Sequence, residues 1–218
     1  YQLNTLSLTD EHAVAWDNFV TSSDDATFFH LSGWQHIITD AGHQCYYLYA
    51  SLDNVIVGVL PLARVRSRLF GDALVSTPFC VYGGAIGGAE VKRFLEQEAI
   101  QLATRLQVQH LELRYKTAQD NTLITRVQHA YFACELADTA EQILANIKKK
   151  QRAVIRHALN EPLQYTLDSH LDDFYQTYAE SVRNLGTPVF SKAFFHSIMQ
   201  TFTEQTEILT VRNAQQAV

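Results

Sequence analysis

The sequence predicts a mixed α/β fold of the α+β type, in which one complete domain is followed by the start of a second, similar one. Helical and strand-like stretches follow one another with an antiparallel hairpin signal at Asp53-Asn54, which is typical of a mixed sheet and not of a regularly alternating parallel one. In addition, residues 28–57 resemble residues 189–218 without a gap. Hydrophobic residues make up 47% of the chain, which is enough for a sizeable core.

The evidence for the internal repeat is its apolar pattern, since identity alone is weak: only five of the 30 aligned positions are identical. The aligned apolar pairs are Phe29/Phe190, Trp34/Phe195, Ile37/Ile198, Ile38/Met199, Leu48/Leu209 and Val57/Val218. The first copy continues past its last aligned residue, whereas the second stops there. We therefore expect a first domain over residues 1–137, a basic connecting helix over residues 138–162, and the truncated N-terminal part of a second domain over residues 163–218.

Two helices should open the first domain. Thr9 or Asp10 can cap the first helix, and Ser32 can cap the second, which ends near Gly42. Strands are predicted over residues 44–52, 55–66, 72–76, 110–114 and 129–136. Pro61 suggests that the second of these strands is an edge strand or contains a bulge. The glycine-rich residues 78–88 precede a predicted helix over residues 89–106.

The pattern then restarts. Thr139 with Gln142 resembles a capping box, which predicts one helix as far as about residue 159, where Glu161-Pro162 stops it. A short strand over residues 163–167 should follow, and then a helix that begins near Leu171 and is ended by Gly186-Thr187-Pro188. Ser191 can cap the next helix, which precedes a strand over residues 207–212 and a turn over residues 213–215.

Composition excludes several classes of protein. The net charge of −6 argues against non-specific nucleic-acid binding by the whole surface. Cys45, Cys80 and Cys134 are odd in number and far apart, so we expect buried free thiols in a reducing compartment. No Cys/His spacing suggests a metal site, and no 18-residue apolar run predicts a membrane span. We expect a cytoplasmic protein. The first residue is Tyr1 and not Met, which suggests a trimmed chain.

The strongest charge feature is the run over residues 148–157, which holds five of the 17 Lys and Arg residues. On a helix, Lys148, Arg152 and Arg156 are four residues apart and form one basic stripe. Such a stripe in an acidic protein can bind phosphates, because arginine forks match phosphate oxygens and lysine adds charge. The alternative is a solvated helix face whose cations suit the helix dipole.

Two further groups are candidate substrate contacts. Tyr82, Gly83 and Gly84 precede a helix, where backbone amides could bind an anion, although the run matches neither GxGxxG nor a P-loop and turn chemistry explains it equally. Arg183 and Lys192 flank a rigid Gly-Thr-Pro turn and could line a cleft, or could simply belong to a helix end. Tyr175 has an apolar ring with a polar tip, which suits either core packing or ligand contact.

Taken together, the segments DDATFFHLSGWQHI, GVLPLARV, PFCVYGGA, RAVIRHA and FYQTYAESVRNLGTPVFSKAFF resemble the FemAB-like branch of the GNAT acyltransferases, and in particular the FemAB-like proteins associated with exosortase and exopolysaccharide loci. The resemblance covers nearly the whole chain. It implies two tandem GNAT-like domains with a substrate groove at or between them.

The resemblance also implies a function. Better-known relatives transfer an amino acid from aminoacyl-tRNA to a peptidoglycan-precursor peptide, by positioning and electrostatics and without a strong side-chain base. The precursor carries a pyrophosphate, which would suit Lys148, Arg152 and Arg156. This sequence departs from the family, because Ile37 and Ile38 replace a basic residue and Lys192 and His196 stand where relatives offer Arg and Tyr.

We therefore expect an aminoacyl- or acyltransferase that acts on a cell-envelope peptide or exopolysaccharide precursor. No resident cofactor is expected; aminoacyl-tRNA or another activated acyl donor would be a co-substrate. The expected partners are a phosphate-bearing envelope precursor, a tRNA donor and the remainder of the second domain, without which residues 1–218 should be inactive. The alternatives are a non-catalytic binding or assembly module that keeps the GNAT fold, and an RNA-binding role for the basic helix.

Overall fold

A computed structural model describes residues 2–6, 12–67, 71–119, 123–127, 130, 132–168 and 170–213. The chain forms two compact units. The first unit contains residues 1–126 and 197–203, and the second contains residues 127–196 and 204–218. The sequence-predicted helix caps Thr9 and Asp10 lie outside the described residues, as does most of the predicted C-terminal turn.

The first unit is built on a mixed sheet with helices. Its elements are β1 (Gln2–Leu6), α1 (Ala13–Thr21), a 3-10 turn (Phe28–His30), α2 (Trp34–Asp40), β2 (Gln44–Leu52), β3 (Val55–Ser67), β4 (Gly71–Ser76), β5 (Ile86–Gly87), α3 (Ala89–Leu106) and β6 (His110–Glu112). The strand order is β1-β2-β3-β4-β6, and β5 pairs with β3. Among the described strands of this sheet, only β4 and β6 pair in parallel orientation. The predicted mixed α/β fold is therefore confirmed.

The second unit begins with two short helices, which are followed by a pair of strands with further helices between them. Its elements are α4 (Ala140–Asn146), α5 (Lys149–Leu159), β7 (Gln164–Asp168), α6 (Leu171–Asn184), the first half of α7 (Lys192–Thr201) and β8 (Ile208–Arg212). Strands β7 and β8 pair in antiparallel orientation. Helix α7 is divided between the units, because residues 197–203 belong to the first unit.

The core of the first unit lies between the sheet and α3. Leu95 and Ala99 of α3 are fully buried in one cluster with Leu48 of β2 and Leu60 of β3. Helix α3 approaches the sheet closely at Gly58, where a Cβ atom would lie 2.3 Å from Cγ1 of Val91 on α3. Any larger residue at Gly58 would therefore push the helix and the sheet apart.

The two copies of the repeat have the same elements and the same strand register. Each consists of a strand, two helices and a second strand that pairs with the first. The terminal pairs are Gln2/Ser51 and Leu6/Tyr47 in the first copy, and Gln164/Arg212 and Asp168/Ile208 in the second. Shifting β2 by the 161 residues that separate Phe29 from Phe190 places every β2 residue that pairs with β1 on a β8 residue that pairs with β7. That the second unit is part of a GNAT-like domain stays a prediction.

Several local predictions were wrong for identifiable reasons. Ser32 does not cap α2, because its amide and its hydroxyl both donate to the carboxylate of Asp17 on α1, at 2.7 and 2.8 Å, and Gly33 occupies the N-cap position. The expected bulge is present in β3, because its register with β2 shifts between Ala50 and Ser51, which pair with Gly58 and Ile56. The expected edge is wrong, because Pro61 is buried in this central strand. It lies between the β3 residues that pair with β5 and those that pair with β4, where a ladder amide is not needed.

The predicted long basic helix is interrupted. Ile147 and Lys148 have extended backbones, so α4 and α5 are separate helices. Residues 132–136, which were predicted to be a strand, form no strand and are exposed, and Cys134 is therefore exposed and not buried. Strands β1 and β5 were not predicted. Among the described residues, no helix is long and apolar enough to cross a membrane.

Candidate functional site

The glycine run after β4 is bound to the chain that follows β6. The amides of Gly83 and Gly84 both donate to the carbonyl oxygen of Arg114, at 3.1 and 2.9 Å. The amide of Arg114 donates in turn to the buried hydroxyl of Ser76, at 2.8 Å. In this geometry the two glycine amides have an acceptor already and are not directed at an anion, whereas Tyr82 beside them is half-buried.

His30 holds the same glycine run from the other side. The amide of Thr27 donates to Nδ1 of His30 at 3.0 Å, so the proton of the neutral ring lies on Nε2, which donates to the carbonyl of Gly84 at 3.0 Å. Burial lowers the pKa of His30 below its usual 6.5. The ring is therefore a neutral structural link and not a cationic or basic group.

Tyr115 completes this network. Its hydroxyl donates to Oε1 of the buried Glu96 on α3 at 2.5 Å and accepts from the amide of Ala85 at 3.1 Å. Gly84 is required here, because a Cβ atom at Gly84 would lie 2.3 Å from the ring of Tyr115. The residue types gave no sign of this network beforehand, since its members are far apart in the sequence.

The loop between β4 and the glycine run carries backbone strain. Thr77 and Phe79 have φ angles of +35° and +72°, which are unfavourable for residues with a side chain. Cys80 in the same loop is buried, and burial raises the pKa of its thiol to about 12. The thiol therefore stays protonated at neutral pH and is not an activated nucleophile.

The basic stripe (Lys148, Arg152 and Arg156) extends along α5 in the second unit. Lys148 occupies the N-cap position just before the helix, and Lys148 and Arg156 are exposed. Arg152 is half-buried, and its guanidinium donates to the carbonyl of Ile147 at 3.3 and 3.1 Å through Nε and Nη2. In the described part of the chain, none of the three forms an ion pair with a carboxylate, so their charge is available to an anionic ligand.

The other predicted contacts lie on α6 and α7, and two of them have structural partners. Tyr175 packs against the rings of Tyr178 and Phe195, and its hydroxyl donates to the carbonyl of Phe190 at 3.1 Å. Lys192 forms an ion pair with Asp172. Arg183 is exposed in the last turn of α6.

The structure brings the basic stripe together on one helix but does not join it to the remaining candidates. Among the described residues, no hydrogen bond or ion pair links Lys148, Arg152 or Arg156 to Tyr175, Arg183 or Lys192. An open cleft of about 530 Å³ in the second unit is lined by His170, Leu171, Asp172, Asp173 and Arg212, which sequence reasoning did not single out. Arg212 in that cleft is paired with Asp173.

No catalytic set is apparent in the described residues. Burial raises the pKa values of the Cys80 thiol and of the Tyr115 hydroxyl, so neither is an activated nucleophile, and no group of three or more described His, Cys, Asp or Glu side chains could hold a metal ion. The arrangement is suited to electrostatic binding of an anion by α5.

Comparison with known proteins defines the fold. No protein-family model matches the chain, and no curated protein matches its sequence. A crystal structure of FemX matches 95% of this chain with a TM-score of 0.64 and 14% identity. The chain spans 57% of that structure's length. A GNAT family acetyltransferase of Staphylococcus aureus subsp. aureus USA300_TCH1516 matches 62% of this chain and 100% of its own length, with a TM-score of 0.40 and 12% identity. The chain therefore has a mixed α/β fold similar to that of FemX.

Proposed function

We propose that the protein acts as a FemAB-like aminoacyl- or acyltransferase on a phosphate-bearing precursor of the cell envelope, either a peptide or an exopolysaccharide precursor. The observation that carries this proposal is the FemX-like fold over 95% of the chain. The basic stripe supports the phosphate-bearing substrate, because it places two cations on α5 and one at its N-cap in an acidic protein, and none of the three has a carboxylate partner among the described residues.

The proposed reaction needs an activated ester as donor, such as aminoacyl-tRNA. The amine or hydroxyl of the acceptor attacks the ester carbonyl, a new C–N or C–O bond forms, and the ester C–O bond breaks. The proton of the attacking group ends on the oxygen of the departing alcohol. The protein would contribute by holding the two substrates in a reactive orientation, which requires no activated side chain.

The role of the basic stripe is to orient the acceptor through its phosphates. Lys148 and Arg156 are exposed one turn on either side of Arg152. Two of the three guanidinium nitrogens of Arg152, Nε and Nη2, already donate to the carbonyl of Ile147. The third, Nη1, is left for the ligand. A pyrophosphate along the stripe would accept hydrogen bonds from Lys148 and Arg156, and such charge-assisted bonds are about twice as strong as neutral ones.

The test is a calorimetric titration of the full chain with a soluble, pyrophosphate-bearing peptidoglycan precursor, a UDP-linked muramyl pentapeptide. Wild-type protein should bind it with an affinity that falls as salt is added. The double variant K148A/R156A should bind roughly 100-fold more weakly, because each lost charge-assisted bond contributes on the order of 1.5 kcal/mol.

A matched control is R93A/R105A, which removes two exposed cations from α3 of the first unit. This control should bind the precursor as the wild type does. The proposal is wrong if the wild type does not bind the precursor, or if K148A/R156A and R93A/R105A bind it equally well.

A further inference from the structure

Helix α5 has a cationic half and an apolar half. At 100° per residue, Lys149, Lys150, Arg152 and Arg156 fall on one side of the helix. Val154, Ile155, Ala158 and Leu159 fall on the opposite side, which also carries the polar Gln151. Arg152 and Arg156 of the basic stripe therefore lie on the cationic half of an amphipathic helix, whereas Lys148 is the N-cap residue just before it.

The apolar half of α5 is largely exposed. No residue of α5 is buried, and Val154 and Leu159 are 64% and 73% exposed. Leu163, just after the helix, is also exposed. Helices of this kind in globular proteins normally bury their apolar side, so a helix that leaves it open next to clustered cations has the composition of one that binds at a lipid surface.

The charge around α5 strengthens this inference. Residues 142–160 contain five Lys and Arg residues and no acidic residue, which leaves 12 cationic residues against all 23 acidic ones in the rest of the chain. An anionic surface would therefore attract α5 and repel most of the remaining chain. Each Lys or Arg close to an anionic membrane contributes about 1 kcal/mol to binding, which corresponds to roughly 5-fold in the partition coefficient.

We propose that α5 docks the protein on an anionic lipid surface. The helix lies in the plane of the interface, with Val154 and Leu159 inserted at the boundary of the acyl chains and Lys149 and Lys150 among the headgroup phosphates. This proposal goes beyond the acyltransferase function, because α5 can bind lipid whether or not the protein transfers an acyl group.

The experiment measures co-sedimentation of the full chain with vesicles of phosphatidylcholine alone and with vesicles that also contain phosphatidylglycerol. The chain should bind the anionic vesicles and not the neutral ones. K149A/K150A should lower the partition coefficient roughly 25-fold, since two cations are lost. V154D should lower it at least roughly tenfold, because the inserted methyl groups are replaced by a charge. V154F should raise the partition coefficient, because it adds apolar surface to the inserted side. Misfolding cannot produce such a gain.

Matched variants in the first unit serve as controls. Val14 on α1 is 69% exposed, so V14D introduces the same change at a similar exposure away from α5. V14D and R93A/R105A should bind anionic vesicles as the wild type does. A parallel titration with the soluble UDP-linked precursor separates this proposal from the previous one, because V154D should leave precursor affinity unchanged.

Three results would contradict lipid docking. Failure of the wild type to bind anionic vesicles overturns it, whatever the precursor titration shows. Equal binding by V154D and V14D overturns it as well, because electrostatic attraction alone would then suffice. If tRNA is bound and K149A/K150A loses it while no vesicle binding occurs, α5 is an RNA-binding helix and not a membrane-docking one.

Discussion

Leu48 in the first unit and Leu209 in the second occupy the same position of the repeat and the same place in their strand ladders, yet Leu48 is 4% exposed and Leu209 is 60% exposed. In the first unit, α3 covers this face of the sheet and buries Leu48. In the described part of the second unit, no helix buries Leu209. The repeat pattern is therefore sufficient to form the helices and the strand pair, whereas burial depends on the strands and the helix added after β2.

The largest expected effect distinguishes the two copies at their first helix. Trp16 of α1 is fully buried, and it stacks on Tyr47 at 5.3 Å between ring centroids. Trp16→Ala should lower the free energy of unfolding by about 3–5 kcal/mol, because it leaves a large cavity. Its counterpart Phe174 on α6 is only half-buried, so Phe174→Ala should cost roughly half as much.

Urea unfolding followed by circular dichroism measures both variants, and the fluorescence of the buried Trp34 reports the first unit separately. Equal losses in Trp16→Ala and Phe174→Ala would mean that the two copies are packed equally well, contrary to the comparison.

The second expected effect is at the aligned strand positions. Leu48→Ala should lower the free energy of unfolding by about 2–4 kcal/mol, whereas Leu209→Ala should change it by less than about 0.5 kcal/mol, because only Leu48 leaves a cavity under α3. The same urea titration measures both. A loss of several kcal/mol in Leu209→Ala would show that another part of the protein covers β8.

The third expected effect concerns the polar network of the first unit. Tyr115→Phe removes the hydroxyl between Glu96 and the amide of Ala85, so two buried polar groups each lose this hydrogen bond at a cost of about 1–3 kcal/mol. Tyr165 on β7 is 74% exposed, and Tyr165→Phe should have little effect on thermal stability. If the two substitutions have equal effects, the network contributes no net stability.

The smallest expected effect is a dependence on pH. Burial lowers the pKa of His30 below 6.5, so its contribution to stability is complete above pH 6.5 and is lost as the pH falls from 6.5 through the lowered pKa. The equivalent residue in the second copy is Ser191, which does not titrate. His30→Asn should flatten the pH profile of the unfolding free energy. Parallel profiles for wild type and His30→Asn would contradict the assigned neutral role of His30.

Local sequence patterns predicted most elements of the fold. Strand β2 and helix α3 have the predicted bounds, and Asp53 and Asn54 form the predicted turn with positive φ angles. The patterns failed where long-range contacts decide the outcome. Pro61 is central because β4 and β5 meet there, and α4 is separated from α5 without any Gly or Pro to mark the break.

The candidate site was predictable in part for the same reason. The basic stripe is a local feature with helical spacing, so it is visible in the sequence. The network around Gly84 is not visible in the sequence. Its members His30, Arg114 and Tyr115 are far apart along the chain and meet only in the folded protein, which no local pattern specifies. The partners of Lys192 and Tyr175 also depend on how α6 packs against α7.

The most direct test of the proposed function is hydrogen–deuterium exchange of the full chain with and without the soluble UDP-linked precursor. Binding at the basic stripe should slow amide exchange over residues 147–159 in the second unit and leave residues 89–106 of α3 unchanged. Protection at the glycine run or along α3, with no change over α5, would contradict the assignment of the phosphate-binding site to α5.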